Sequence, residues 1–188
     1  MQKILPKVYC FVNEFNLSDL SKLSKNISII YRNYNDINYY EDVYKLKQFC
    51  KYSKNKIFLS NNIRLSIKLG LDGIYIPSFN NQINYTGSFS LPKSFKIIGS
   101  AHNLREIIIK QKQKCDEVFL SPLFKVNKSR RFLNVSRFNL IALNSNIGCI
   151  ALGGINQKNY KKTKLLKSEG FATISWAKKN GLSELRPF

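Results

Sequence analysis

The one histidine of the chain, His102, stands in the run Gly99-Ser100-Ala101-His102-Asn103-Leu104-Arg105-Glu106, where Asn103 and Glu106 have the spacing of a helix capping box. A histidine just ahead of a helix start lies near the positive end of the helix dipole. That position favours a neutral imidazole, able to act as a general base or hydrogen-bond donor near neutral pH. The same spacing also fits a histidine that only hydrogen-bonds its loop. Ser100 sets a hydroxyl on the same run. Further on, Ala151-Leu152-Gly153-Gly154-Ile155-Asn156 pairs two glycines, whose amides carry no side chain to obstruct an anion, with an Asn suited to cap a following helix. Together with Ser175 this is a candidate phosphate cradle, with a phosphate or sulfate expected between them; a tight turn is the alternative reading of Gly153-Gly154. Ser121 to Arg131 forms a polar stretch with four cations, Lys125, Lys128, Arg130 and Arg131. Such a loop either closes on an anionic ligand or stays solvated. Arg32, the first charged residue after an early apolar run, is a second candidate for the ligand's anion.

These residues need elements to converge them. Short β-branched runs at Val8–Val12, Ser28–Tyr31, Lys56–Leu59, Gly73–Ile76, Lys96–Gly99, Glu117–Leu120, Gly148–Leu152 and Phe171–Ser175 read as strands. Between them lie stripes of helical spacing: Val43, Leu46 and Cys50; Leu104, Ile107 and Ile108; and Leu165 with Leu166, closing a helix before the last strand. The stretch from Phe79 to Pro92 has no such stripe and reads as a loop or short helix. Repeated βα units without a linker predict a single domain over residues 1–188, a minimal (β/α)8 barrel, since the usual barrel has about 250 residues. A doubly wound open sheet is the alternative. In a barrel the residues just after each strand line the active-site face, where His102, the two glycines, Ser175 and Arg32 all fall.

The 188 residues carry a formal charge of +20, from 31 Lys+Arg against 11 Asp+Glu. Clustered cations would indicate nucleic acid. Here they are spread along the chain, and the densest run, Lys158 to Lys167, fits a solvated helix face, so no nucleic-acid partner is expected. No run of about 18 apolar residues and no secretory signal pattern is present, which predicts a cytoplasmic protein with no membrane partner. Cys10, Cys50, Cys115 and Cys149 are too scattered for a zinc site or redox dithiol, so no metal ligand is assigned.

In their order, Ile97 to Glu106, Cys115 to Phe124 and Ala151 to Ile155 resemble the thiamine phosphate synthase / TenI family, and the similarity runs from the strand ending at Arg32 to Ser175. The resemblance implies a (β/α)8 barrel, a homodimer, and a small phosphorylated thiazole or pyrimidine ligand held by Arg32, Ser100, Lys128, Gly153, Gly154 and Ser175. It brings two activities into play. The TenI type isomerises a thiazole phosphate carboxylate by proton transfer, a role that falls on His102 and needs no cofactor. The synthase joins a pyrimidine methyl diphosphate to a thiazole phosphate with release of pyrophosphate, using Mg²⁺ held partly by two aspartates. At those two positions this chain has Asn61 and Asn80, and Ile76-Pro77-Ser78-Phe79 is similar to the TenI-type pattern. The expectation is therefore a thiamine-biosynthesis barrel of TenI type, with a synthase carrying a weakened Mg²⁺ site as one alternative and a non-catalytic phosphate-ligand binding or regulatory protein as another.

Overall fold

The computed structural model describes residues 7–34, 37–127 and 129–173. Eight parallel strands close into one barrel: β1 (Lys7–Val12), β2 (Ile27–Tyr31), β3 (Ile57–Ser60), β4 (Gly73–Ile76), β5 (Lys96–Ala101), β6 (Glu117–Leu120), β7 (Gly148–Leu152) and β8 (Gly170–Thr173). β1 pairs with both β2 and β8, which completes the ring and excludes the open sheet. The predicted strands all form, within two residues at each end that can be compared. Ile174 and Ser175, the end of the predicted last strand, lie outside the described residues.

Period-two alternation divides the apolar residues between two layers. Tyr9, Phe11, Phe58, Tyr75, Ile98, Phe119 and Ile150 point inward and fill the barrel. Edge-on aromatic contacts join them, with ring centroids 5.1 Å apart for Tyr9–Phe119 and 5.2 Å for Phe11–Tyr75. The interior is thus a packed core, and any ligand site must lie at an end of the barrel. Alternate residues such as Ile29, Leu59, Ile74, Val118 and Ala151 point outward under the helices.

The crossovers are α1 (Leu17–Leu20), α2 (Tyr39–Ser53), α3 (Ile63–Lys68), α4 (Leu104–Lys112), α5 (Asn134–Leu143) and a 3-10 helix over Tyr160–Leu165. Helix α2 buries Val43, Leu46 and Cys50, the predicted stripe, and has Glu41 and Asp42 at its start, where the dipole favours them. Helix α4 departs from its predicted phase. It buries Ile107 and Lys110, while Leu104 and Ile108 are exposed. Before β8 the segment is a single 3-10 stretch, in which Leu165 is exposed while Leu166, just past its end, and Tyr160 pack partly buried against the core. Residues 77–95 contain turns only, as their composition predicts. Among the described residues no helix is long and apolar enough to cross a membrane.

Candidate active site

At the C-terminal ends of the strands a cavity of about 200 Å³ opens among Arg32, Tyr34, Tyr75, Pro77, Ser78, Phe79, Ser100, His102, Ser121 and Leu152. A larger cavity of about 390 Å³ lies at the opposite end, among Lys7, Lys54, Lys56, Lys96, Asp116 and Glu117. The smaller one is the candidate site, because this fold builds its chemistry where the βα loops converge and its stability at the other face. Both carboxylates at the larger opening, Asp116 and Glu117, are engaged with neighbouring groups. Lys7 pairs with Glu117 and with Glu169 (2.5 Å), Tyr9 donates to Glu117 (2.8 Å), and Lys96 meets Asp116 at 3.2 Å.

His102 follows β5 and lies at the mouth with about half of its side chain exposed. Asn103 caps α4 by accepting from the Glu106 amide at 3.0 Å, as its position predicts. The Glu106 carboxylate reaches one residue beyond the expected capping box, to the backbone amide of His102 and to its Nδ1, both at 2.9 Å. A carboxylate accepts only, so Nδ1 carries the proton and Nε2 is left for a ligand. Glu106 orients this ring.

Arg32 follows β2, and its guanidinium sits 5.1 Å from the centre of the Phe11 ring, which holds the cation at the top of the barrel core. Ser100, nearly buried at the end of β5, accepts from the Tyr75 hydroxyl at 2.9 Å and keeps its own proton for a ligand. Burial pushes the Tyr75 phenol up and keeps it a neutral donor. Tyr34 bonds Ser60 at 2.7 Å and packs edge-on against Phe79 at 5.9 Å, so two aromatic rings form one side of the opening. Tyr34, Tyr75, Phe79 and Ser121 are site residues that the sequence reading does not single out. Two signals point to them: Tyr75 is the inward partner of Gly73 by period two, and Ser121 directly follows β6.

Gly153 and Gly154 lie just beyond Leu152, both in the left-handed region, with φ +96° and +72°. A Cβ at Gly153 would fall 2.9 Å from Pro122, and one at Gly154 would fall 2.7 Å from the Phe124 carbonyl. Glycine is therefore required here by close packing of the β6–α5 loop against the end of β7. Asn156 does not open a helix. It accepts from the Lys158 amide at 2.9 Å and closes a turn, because the 3-10 segment starts only at Tyr160. Lys128 and Ser175 lie outside the described residues. Of the loop's other cations, Lys125, Arg130 and Arg131, none lines the cavity. Phe124 N donates to Gly153 O and Leu133 N to Pro122 O, which ties the two ends of this connection to β7 and to each other.

Asn61 and Asn80 meet across the ends of β3 and β4, with Asn80 Nδ2 donating to Asn61 Oδ1 at 2.7 Å. Asn80 Oδ1 in turn accepts from the Gln82 amide at 3.0 Å. Both amide oxygens already have partners, and neither residue brings negative charge. Among the described residues no cluster of His, Cys, Asp or Glu has metal-binding geometry. This pair does not fit a divalent cation, which is usually held through one or two carboxylates.

The sequence model of the family described as thiamine monophosphate synthase matches residues 22–177. A thiamine-phosphate synthase of Prochlorococcus marinus (strain SARG) is 31% identical over 134 residues, covering 70% of this chain and 38% of that protein. A second, from Prochlorococcus marinus subsp. pastoris, is 30% identical over 146 residues, covering 75% of this chain and 40% of that protein. The chain thus spans less than half the length of these curated relatives. Among solved structures, a thiamine phosphate pyrophosphorylase from Pyrococcus furiosus superposes with a TM-score of 0.76 at 17% identity, covering 94% of this chain and 89% of that one. N-(5'-phosphoribosyl)anthranilate isomerase from the same organism superposes with a TM-score of 0.65 at 16% identity, covering 93% and 90%. At such identities the structural likeness concerns the fold alone.

Proposed function

Because the chain belongs to the thiamine monophosphate synthase family, we propose that its barrel mouth binds a phosphorylated thiazole and that the protein serves thiamine-phosphate formation, the activity named for its curated relatives. The observation that carries this reading is the meeting of Arg32, Ser100, Ser121 and His102 on one cavity, beside the aromatic pair Tyr34 and Phe79. A guanidinium and two hydroxyls match the oxygens of a phosphate, and aromatic rings match the face of a heterocycle. The cavity, about 200 Å³, is smaller than the roughly 300–1,000 Å³ that encloses a drug-sized ligand. It would hold one end of such a ligand, with the other end lying against the β6–α5 loop and its cations.

In the joining reaction the thiazole nitrogen bonds to the pyrimidine methylene carbon as the bond from that carbon to pyrophosphate breaks, and pyrophosphate leaves with the electron pair. The cation this chain offers at the cavity for that leaving group is Arg32. Asn61 and Asn80 do not fit the Mg²⁺ that the synthase reading implies. A second reading, thiazole isomerisation by proton transfer, is favoured by one specific contact. Glu106 holds the His102 ring through Nδ1 beside the cavity, and an imidazole so held, with Nε2 not engaged by Glu106, suits a group that takes a proton from carbon and returns it.

One experiment separates these. The protein is given thiazole phosphate with the pyrimidine methyl diphosphate, and separately thiazole phosphate carboxylate in D2O, each with Mg²⁺ and with EDTA. Thiamine phosphate formation supports the joining reaction. Deuterium exchange that survives EDTA, without thiamine phosphate, replaces it with the isomerase. Saturable binding with neither reaction leaves a non-catalytic binder, and absence of binding removes the thiazole reading altogether.

A further inference from the structure

Lys110, on the last turn of α4, is completely buried, although nothing in the function just described uses it. Its aliphatic stem runs over Gly99, where a Cβ would come within 2.9 Å of Lys110 Cγ and Cδ. Its ammonium donates to the carbonyls of Pro77 and Asn80, each at 2.8 Å, and to Gln113 Oε1 at 3.0 Å. All three donors are used, and no carboxylate is among the acceptors. Gln113, also buried, sends Nε2 to the carbonyls of Asn80 and Gln82, both at 3.0 Å. The two side chains thus gather three carbonyls of the β4–β5 connection, and Asn80, so held, bonds Asn61 beneath the mouth. Burial pushes the Lys110 ammonium below the usual lysine range, as expected of a cation that bonds neutral carbonyls only. An apolar residue would pack over Gly99 at less cost, but it could not hold these carbonyls.

The connection so held is the one that brings Pro77, Ser78 and Phe79 to the mouth cavity, and it has no helix of its own to fix it. We propose that Lys110 and Gln113 are positioning residues for the ligand site: a buried cation and amide clamp that holds the β4–β5 connection in its ligand-ready shape. The proposal rests, for its ligand, on the thiazole phosphate reading.

The test is hydrogen exchange by mass spectrometry, together with calorimetric binding of thiazole phosphate, on Lys110→Met, Gln113→Leu and the exposed neighbour Lys112→Met. The clamp requires amide exchange across residues 77–85 to rise at least 10-fold in Lys110→Met, with β5 and β6 protection kept, and thiazole phosphate to bind at least 10-fold more weakly. Lys112→Met, which removes the same charge from the same helix, should change neither. If Lys110→Met does not fold, Gln113→Leu carries the same expectation, because it removes two of the loop bonds and no charge. Unchanged exchange in residues 77–85 overturns the clamp. Raised exchange with undiminished binding overturns its role at the site. Raised exchange in a protein whose wild type does not bind thiazole phosphate leaves the clamp standing and defeats the ligand reading alone.

Discussion

His102 and Glu106 act as a unit. A histidine half exposed at a loop would turn freely, but the 2.9 Å contact with Glu106 engages Nδ1 and holds the ring beside the cavity. If proton exchange on a thiazole phosphate carboxylate is found, His102→Asn should lower it by at least about 100-fold, the lower end of general acid–base contributions. Glu106→Gln should lower it less, because a glutamine oxygen can still accept from Nδ1. An equal loss in both would show that the pair acts through fold integrity, which a thermal melt would reveal. The cysteines should be bystanders. All four are buried, and burial pushes the Cys50 and Cys115 thiols up to about 12. A thiol reagent at pH 7.5 should therefore leave all four unlabelled until the protein unfolds, and rapid labelling of Cys10 or Cys149 in the native protein would contradict the packing.

At the scale of elements, the legible features are those that a single strong local effect decides. β-Branched runs fix the strands, because a parallel sheet buries both faces of each strand. Asn103 is legible as a cap, because its bond to Glu106 is local in sequence. Asn103→Ala should cost about 1 kcal/mol in urea denaturation, as loss of an N-cap generally does. What stays hidden depends on partners distant in sequence. The phase of α4 follows Lys110, a charged residue that no apolar count would put in the core, and its acceptors lie on the β4–β5 connection. The glycine pair invites a phosphate reading, but the visible reason for both glycines is contact with Pro122 and Phe124 across the β6–α5 loop. Gly154→Ala should destabilise the protein by about 1–3 kcal/mol, since it combines a positive φ with a Cβ clash against backbone. A neutral result would mean that the loop yields easily.

For the whole molecule, the raised thiols have a consequence for stability. In the unfolded chain a thiol ionises near pH 8.5, while Cys50 and Cys115 hold their protons in the fold to about 12. Their contribution is complete below the unfolded value and is lost as pH rises through this window, at roughly 1.4 kcal/mol per pH unit for each thiol. Lys110 works in the opposite sense, since its folded value is lowered and its burial as a cation is relieved as pH rises. Burial raises Cys149 and the phenols of Tyr9, Tyr39, Tyr75 and Tyr85 as well, and these act in the same sense as the two thiols and against Lys110, so the urea midpoint should fall between about pH 9 and 11. A flat profile would contradict the burial of both cysteines.

The charge of +20 is distributed over the molecule and will attract any anion weakly. The mouth must therefore be distinguished from the surface as a whole. The most direct test is calorimetric titration of thiazole phosphate into the wild type and into Arg32→Gln, at low and at physiological salt. Saturable one-site binding that persists at physiological salt and weakens at least 10-fold in Arg32→Gln is the expected result. Binding that vanishes with salt, or that is indifferent to Arg32, would contradict the assignment of the barrel mouth as the ligand site.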